Sequence, residues 1–340
     1  MTTEKIDIIS GDYEEGVARA GGILRRGGIV AIPTETVYGL AASALDDRAI
    51  EKVFLAKGRP QNNPLIVHIS DISMLKDVAE DIPDAAYRLA ERFWPGPFTM
   101  VLHRKNTVAS RVSAGLDTVA VRMPSSPAAR DIIAASGVPL AAPSANISGS
   151  PSPTTAAHVT DDLDGRVDAI VCGEDCAVGV ESTVVALFSD PPRLLRPGAV
   201  TAEQLRAFLP DLVIDKAVLS EPAKGESVAS PGMLYKHYAP ETETFLAEGE
   251  SKDFVSFVNS QADCAAVCFN EELPEISVKK ISYGDRNDQS TLAKNLFSVL
   301  REVDGLGVKR VYVHAPDKLG MGLAVYNRLL RAAGFKVIKL

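Results

Sequence analysis

The chain has 340 residues and a formal net charge of −8, and 46% of its residues are hydrophobic and 24% charged. Compact domains cluster at about 100–200 residues, so this length favours two domains, and the balanced composition excludes a disordered, collagen-like or coiled-coil chain. No apolar run reaches the roughly 18–20 residues of a membrane span, and the first residues lack the basic-then-apolar order of a secretory signal. We therefore expect a cytoplasmic protein with no membrane segment.

Four cysteines are too few for a disulfide framework and are typical of a reducing compartment. They form two pairs with three intervening residues, Cys172 with Cys176 and Cys264 with Cys268. Zinc ligands can use this spacing, but no further His or Cys lies close by in the sequence, so we expect no protein-bound metal. Neither half of the chain is broadly basic, and RNA binding would therefore need a local basic patch.

Helices and strands alternate through the first part of the chain. Helical periodicity is predicted near residues 12–26, 46–56, 83–93, 126–136 and 201–208. Short apolar runs typical of buried strands lie near residues 29–33, 65–69, 98–103, 118–123, 139–142, 168–172 and 182–188. This order predicts a layered α/β domain over residues 1–209.

Residues 210–242 interrupt the pattern, and an irregular stretch of this length is normally either functional or a linker. Further strands are predicted near residues 244–247, 264–269, 278–282, 309–314 and 336–339, with helices near 251–261, 289–303 and 320–332. This alternation predicts a smaller Rossmann-like α/β domain over residues 243–340.

The common nucleotide and hydrolase signatures are missing. No phosphate-binding Gly-x-x-x-x-Gly-Lys-Ser/Thr loop, Gly-x-Ser-x-Gly elbow or His-Glu-x-x-His motif occurs. Gly320 and Gly322 lack the third glycine of a dinucleotide fingerprint, since Val325 occupies that position. We therefore interpret these two glycines as residues that let the start of a helix pack closely against a sheet.

Polar loops follow several predicted strands, at the places where ligands gather in an open α/β sheet. Residues 33–40 read Pro-Thr-Glu-Thr-Val-Tyr-Gly-Leu, and this density of polar groups after a buried strand favours a binding loop over a capped turn. Around Gly58, Lys57 and Arg59 follow the end of a predicted helix. The helix dipole alone could explain a basic residue there, but two cations aimed at one place suit a triphosphate.

Other candidate groups lie further along the chain. Arg122 ends a predicted strand, and residues 141–149 present Ser144 and Asn146 among small residues that let a ligand approach the backbone. Residues 181–183 and 196–198 border two later strands. Residues 230–240 concentrate Tyr, Lys and His at the end of the linker, which is poor spacer composition, so we expect this segment to close over the site as a lid.

Together these loops resemble the threonylcarbamoyl-AMP synthases of the YrdC-like superfamily, in the long form with an extra C-terminal domain. The family's Lys-x-Arg and Ser-x-Asn signature is matched by Lys57, Arg59, Ser144 and Asn146, and the 33–40 loop and the linker motif are also present. The resemblance spans nearly the whole chain. It implies an α/β fold, a YrdC-like twisted open-sheet domain followed by the smaller Rossmann-like domain.

The resemblance also implies an activity, the joining of L-threonine, bicarbonate or CO2 and ATP into threonylcarbamoyl-AMP and pyrophosphate for tRNA modification beside the anticodon. Lys57 and Arg59 would be catalytic, and Mg²⁺ would accompany ATP. The implied ATP contacts are Arg59, Asn63, Thr118, Ser144, Asn146, Ser152, Arg196 and Tyr235. The implied threonine contacts are Thr36, His68, Arg122, Ala142 and Ser182. The product would pass to a tRNA-modifying transferase complex, and weak tRNA binding is possible on this reading.

Two other functions are compatible with the same residues. A non-catalytic RNA-binding module would use the rim cations on tRNA phosphates. A carbamoyl-adenylating maturation enzyme would share the adenylating domain, but it normally carries additional domains and zinc-type cysteine clusters, and this chain has neither.

Overall fold

The computed structural model describes residues 2–221 and 238–340, and these residues form two sheets covered by helices. The first sheet has 12 strands. They are β1 (Glu4–Asp7), β2 (Val30–Ile32), β3 (Gly39–Ser43), β4 (Ile66–His68), β5 (Ala79–Glu80), β6 (Phe98–Arg104), β7 (Thr118–Arg122), β8 (Leu140–Ala141), β9 (Ala169–Cys172), β10 (Thr183–Ala186), β11 (Arg193–Arg196) and β12 (Val213–Ile214). The helices of this part are α1 (Tyr13–Arg25), α2 (Asp47–Lys57), α3 (Leu75–Val78), α4 (Asp84–Phe93), α5 (Pro127–Ser136), α6 (Ala156–Leu163) and α7 (Ala202–Arg206).

Local capping fixes the ends of these helices near their predicted bounds. The carboxylate of Asp12 accepts a hydrogen bond from the backbone N–H of Glu15 and begins α1. Gly58 ends α2 in the left-handed conformation, with φ of 61°, which glycine adopts without a Cβ penalty. The chain therefore turns sharply after Lys57 and brings Arg59 back toward the sheet.

The sequence predicts neither β1, β3 nor α6. The strand β3 is buried along all of its Gly-Leu-Ala-Ala-Ser sequence, so it shows no polar alternation, and part of it falls within the predicted 33–40 loop. It pairs antiparallel with both β2 and β8. The 33–40 loop is therefore a tight connection between two buried strands rather than a free surface loop.

The order of the first sheet is β1-β9-β2-β3-β8-β4-β7-β6-β10-β11-β12, with β5 against β6. The strands β4 and β7 run parallel, and their register pairs His68 with Arg122. Both residues are the last of their strands. The sheet thus places these two side chains next to each other, at the carboxyl ends of two adjacent strands.

The second sheet consists of β13 (Glu243–Glu248), β14 (Cys264–Phe269), β15 (Lys279–Gly284), β16 (Arg310–His314) and β17 (Val337–Lys339). Its helices are α8 (Ser251–Asn259), α9 (Gln289–Glu302) and α10 (Gly322–Ala332). All pairings are parallel, in the order β15-β14-β16-β13-β17. This confirms the Rossmann-like layering. Counted from β13 as strand 1, the order is 3-2-4-1-5, so β16 separates β14 from β13, which are neighbours in the usual order 3-2-1-4-5.

The helix α10 is buried on every side, including its polar residues Asn327, Arg328 and Arg331. Asn327 donates to the carbonyl of Val218, 2.6 Å away in the first part of the chain. The helix therefore packs between the second sheet and the first. Among the described residues, no helix is both long and apolar enough to cross a bilayer.

Candidate active site

A pocket of about 760 Å³, counted to its open mouth, lies where β4 and β7 end beside the 33–40 loop. It brings together most of the residues that the sequence and the family resemblance single out. These are Thr36, Lys57, Arg59, His68, Arg122, Ala142, Ser144, Asn146, Ser182 and Arg196. Residues far apart in sequence thus meet in one cavity.

Three of the implied ATP contacts, Thr118, Asn63 and Ser152, are described and do not line this pocket. Thr118 begins β7, at the opposite end of that strand from Arg122. Asn63 is buried behind Arg59, and its Oδ1 has no hydrogen-bond partner in the described part of the chain. Ser152 is fully buried, and its hydroxyl donates to Glu181 at 2.6 Å. Tyr235, and with it residues 230–237 of the expected lid, lies outside the described residues.

The ammonium of Lys57 is held by the loop that follows β8. Its Nζ donates to the carbonyl of Ser144 and to the carbonyl of Asn146 at 2.6 Å, and it lies 3.5 Å from Asn146 Oδ1. Burial, with the nearby Arg59 cation, lowers the pKa of Lys57 well below its usual range. Lys57 therefore fixes the Ser144–Asn146 loop against α2, a positioning contact that its sequence motif does not reveal.

The guanidinium of Arg59 makes weaker hydrogen bonds to the protein than the ammonium of Lys57 does. Its Nη2 lies 3.5 Å from the carbonyl of Asn63 and 3.4 Å from that of Pro64, both long contacts, and its buried Nε has no hydrogen-bond partner among the described residues. Burial lowers its pKa to about 10, so it remains a cation at neutral pH. A guanidinium with open donors in a pocket can bind an anion such as phosphate.

His68 presents a lone pair to the pocket. Its Nδ1 lies 3.1 Å from the carbonyl of Ile66, and because a carbonyl only accepts, this nitrogen carries the proton. Burial, with the Arg122 cation, lowers the pKa of His68 to about 3, so the ring is neutral. The remaining nitrogen, Nε2, is thus an acceptor.

Arg122 is oriented by three groups of the protein. Its Nη2 lies 2.7 Å from Glu35 Oε1, its Nη1 donates to Thr36 Oγ1 at 2.8 Å, and its Nε donates to the carbonyl of Gly96 at 3.3 Å. Burial opposes ionisation of Glu35, but the Arg122 charge prevails and lowers the pKa of that carboxyl. The pair is nearly inaccessible, so Arg122 is held rigidly beside His68.

The hydroxyl of Ser182 lies 2.7 Å from the Thr99 hydroxyl and accepts a hydrogen bond from Arg196 Nη2 at 3.0 Å. Arg196 also donates through Nε to the Ser182 carbonyl at 2.9 Å. Among the described residues its Nη1 makes no hydrogen bond, while the side chain lines the pocket. Burial and the nearby Arg328 charge lower the pKa of Arg196 to about 10.

Arg328 is a site residue that the sequence does not single out, whereas Glu181 and Tyr238 lie within the candidate segments 181–183 and 230–240. Glu181 and Tyr238 line the pocket, and Arg328 of α10 donates from Nε to Glu181 Oε2 at 2.9 Å. Tyr238 has a φ of 65°, and its ring lies 5.1 Å from that of Phe297 on α9. Tyr238 belongs to the segment 230–240 that the sequence indicates, but no sequence signal separates Arg328 from an ordinary helix arginine.

Comparison with known proteins assigns the chain to a family. Residues 22–198 match the family model described as "Telomere recombination", and residues 200–334 match that of the threonylcarbamoyl-AMP synthase C-terminal domain. The threonylcarbamoyl-AMP synthase of Pyrococcus abyssi is 43% identical over 94% of this chain and 94% of its own. That of Bacillus subtilis is also 43% identical, over 95% of this chain and 94% of its own.

A solved structure agrees with these relatives. The crystal structure of P. abyssi Sua5 complexed with L-threonine superposes with a TM-score of 0.91 at 39% identity and covers all of both chains. The matches extend across both sheets and the pocket. The chain therefore belongs to the threonylcarbamoyl-AMP synthase family, in the form that carries the family's C-terminal domain.

Proposed function

We propose that this pocket joins L-threonine, ATP and bicarbonate or CO2 into threonylcarbamoyl-AMP and pyrophosphate, for the modification of tRNA next to the anticodon. Relatives that match nearly the whole chain are named as synthases, so the chain is an enzyme, a transferase of tRNA modification. This disfavours both the non-catalytic RNA-binding module and the carbamoyl-adenylating maturation enzyme. The observation that carries the proposal is one pocket that is lined both by the neighbouring His68 and Arg122 and by the guanidiniums of Arg59 and Arg196.

The end formed by His68 and Arg122 suits an amino acid. Arg122 can pair with a carboxylate through the N–H groups that Glu35 and Thr36 leave open. The neutral His68 offers Nε2 as an acceptor for the hydroxyl or the amine of threonine. A pKa near 3 makes His68 a poor proton acceptor, so we assign it an orienting role.

The end formed by Arg59 and Arg196 suits a triphosphate. Both guanidiniums keep open donors and line the same wall as Ser144, whose hydroxyl bonds to no described residue. Lys57 and Asn146 also line the pocket, but their polar groups bond to its loop: Lys57 Nζ donates to the Ser144 and Asn146 carbonyls, and Asn146 Nδ2 donates to those of Ile147 and Ser150 at 2.7 and 2.9 Å. We propose that they hold the shape of the loop that Ser144 presents to ATP.

The chemistry needs positioning more than a strong base. The neutral threonine amine bonds to the carbon of CO2 and releases a proton, which leaves a carbamate. Starting from bicarbonate, the same carbamate forms with loss of water and no net release of a proton. An oxygen of the resulting carbamate then attacks the α-phosphorus of ATP, and the bond to pyrophosphate breaks. Fixed cations along the triphosphate stabilise the charge that develops on the phosphoryl and leaving oxygens.

We propose that Mg²⁺ arrives with ATP. No three His, Cys, Asp or Glu side chains cluster as a metal site in the described ranges 2–221 and 238–340. In the pocket lining, the Glu181 carboxylate already accepts from Ser152 and Arg328. Mg²⁺ commonly keeps its waters and binds through substrate phosphates, which fits a pocket of this composition.

The remaining expectations follow from this reaction. Threonylcarbamoyl-AMP is a labile mixed anhydride, so a transferase acting on tRNA must consume it soon after release. We propose a cytoplasmic location for both steps, with at most weak binding of tRNA, because the charge of the chain is −8.

The test is to incubate the protein with ATP, labelled bicarbonate and one amino acid at a time, and to identify the adenylate by mass spectrometry. We expect threonine to give labelled threonylcarbamoyl-AMP with equimolar pyrophosphate. Serine should be slower, and valine should be slower by about 100-fold or more, because a site built to bond a hydroxyl rejects an analogue without one. Comparable rates with valine, or no adenylate with threonine, would contradict the proposal.

A further inference from the structure

Arg328 is an arginine of the second sheet's helix α10 that reaches the wall of the pocket. Its side chain is fully buried. Its Nε donates to Glu181 Oε2 at 2.9 Å, its Nη2 to the Glu181 carbonyl at 3.2 Å, and its Nη1 to the Pro197 carbonyl at 2.6 Å. It therefore binds the residues beside both Ser182, which directly precedes β10, and Arg196, which ends β11.

Glu181 is the group through which this contact reaches the pocket. Its carboxylate is buried, with Oε1 bonded to Ser152 and Oε2 to Arg328. Burial opposes its ionisation, but the Arg328 charge, and then that of Arg196, lower its pKa. The carboxylate thus lies within electrostatic reach of two arginines, and among the described residues Arg328 is the one of the two that donates a hydrogen bond to it.

Arg196 is left without a carboxylate partner by this arrangement. Among the described residues it donates only to the carbonyl and hydroxyl of Ser182. A carboxylate that loses one buried partner is strongly drawn to another cation, because an uncompensated buried charge is costly. Without Arg328, the nearest such cation for Glu181 in the pocket is Arg196.

We propose that Arg328 is a positioning residue of the active site: it neutralises Glu181 from behind, so that Arg196 remains free to bind the ATP phosphates. This rests on the proposed function, because it assigns Arg196 to ATP. The consequence is that the nucleotide half of the site is completed by the C-terminal part of the chain. That part supplies the charge of Arg328, and without this charge Glu181 would neutralise Arg196.

Arg301 provides a matched control. It also extends from a helix of the second sheet, α9, to pair with a carboxylate of the first part, Asp162, at 2.7 Å, and to donate to a carbonyl, that of Pro151, at 2.6 Å. Asp162 does not line the pocket. Arg301→Met therefore removes a contact of the same type between the same two parts of the chain, without freeing a carboxylate beside Arg196.

The experiment measures the ATP dissociation constant by calorimetry in the full-length chain, together with the melting temperature. We expect Arg328→Met to weaken ATP binding by about tenfold or more, as the loss of a charge contact to phosphate does, and Arg301→Met to leave it within about twofold of wild type. In the double variant Arg328→Met/Glu181→Gln, the competing carboxylate is gone, and most of the lost ATP affinity should return. A structural role alone would not produce this recovery.

Three outcomes would overturn the inference: unchanged ATP affinity in folded Arg328→Met, equal losses in Arg328→Met and Arg301→Met, or no recovery in the double variant. If Arg328→Met does not fold, the double variant carries the test, compared with Arg301→Met/Asp162→Asn. Calorimetry requires no turnover. If the wild type binds ATP but forms no adenylate, the proposed function is wrong, but the ATP affinities of the variants can still be compared. If the wild type does not bind ATP, both the proposed function and the role of Arg328 are wrong.

Discussion

Two buried histidines, one in each sheet, end parallel strands in the same way and differ in what their second nitrogen contacts. His68 ends β4, its Nδ1 bonds to the Ile66 carbonyl, its Nε2 has no hydrogen-bond partner among the described residues, and the side chain lines the pocket. His314 ends β16, its Nδ1 lies 2.6 Å from Glu272 Oε1, and its Nε2 lies 3.0 Å from the Gly249 carbonyl. The ring of His314 is also stacked on Phe254, with 4.4 Å between centroids.

The difference shows why residue type alone does not identify a binding site. Both histidines lie at the carboxyl edge of a sheet, where ligands usually bind. At His314 every polar atom of the ring has a protein partner, which is the normal condition of a buried polar group. At His68 one atom is left open toward a cavity, and Arg59 and Arg196 likewise keep open donors there. The binding site is therefore distinguished by several donors and acceptors around one cavity that have no hydrogen-bond partner among the described residues.

The largest expected effect is the loss of rate when Arg59 is replaced, and Arg286 beside the second sheet provides the control. Arg59→Ala should lower the rate of adenylate formation by about 100- to 1,000-fold, the cost typical of losing a donor to transition-state charge. Arg286, after β15, already donates to Ser251 Oγ at 2.7 Å, so Arg286→Ala should leave the rate within about twofold. Pyrophosphate release and melting temperature are measured on both. Equal losses of rate would show that open donors do not mark the site.

The same substitution at each histidine should have opposite consequences. His68→Phe should raise KM for threonine by roughly 10- to 100-fold with little loss of stability, because the Ile66 carbonyl keeps its bond from the Ala142 N–H. His314→Phe leaves Glu272 and the Gly249 carbonyl without their donor, at a cost of about 1–3 kcal/mol in the free energy of unfolding. Its rate per folded molecule should be unchanged.

Steady-state kinetics and denaturant unfolding on both variants decide between these effects. A rise in the threonine KM in His314→Phe, or a loss of stability of the same size in both variants, would remove the distinction between an open and a filled histidine.

A smaller effect concerns acid stability. The folded-state pKa of His68, about 3, lies below the unfolded value of about 6.5, so between these limits the unfolded chain binds the extra proton. Stability is therefore fully present above pH 6.5 and is lost as the pH falls. Between pH 6 and 5, above the range in which carboxylates titrate, His68 should lower the free energy of unfolding by about 1.2 kcal/mol. The measurement is the slope of unfolding free energy against pH in wild type, minus the same slope in His68→Phe. Equal slopes in the two proteins would show that His68 is not a buried neutral histidine.

Most of the fold could be predicted from periodicity, because long amphipathic helices such as α1 and α9 and apolar strands such as β14 follow their patterns closely. The misses have local causes. The strand β3 consists of small, fully buried residues without alternation, and α6 begins in a Pro- and Thr-rich stretch, where the Thr155 side chain caps it by accepting from the His158 N–H.

The residue types of the pocket were also predictable, since cations and hydroxyls cluster at the ends of predicted strands. Their partners were not. The sequence directs Lys57 toward a phosphate, while the structure commits its ammonium to two carbonyls. Arg328 has the sequence context of a solvent-facing helix arginine, and only the packing of α10 against Glu181 reveals its place. Such contacts depend on tertiary structure, which no local pattern encodes.

The decisive measurement for the open nitrogen of His68 is ¹⁵N NMR of the five histidines, with and without L-threonine. Without ligand, His68 should appear as a neutral ring with an unprotonated Nε2 at pH 6, identified by its absence in His68→Phe. We expect threonine to shift this Nε2 signal, valine to shift it much less, and the His314 signals to stay unchanged. A threonine-induced shift at His314 with none at His68, or a protonated His68 at pH 6, would contradict the assignment of the open histidine to the threonine site.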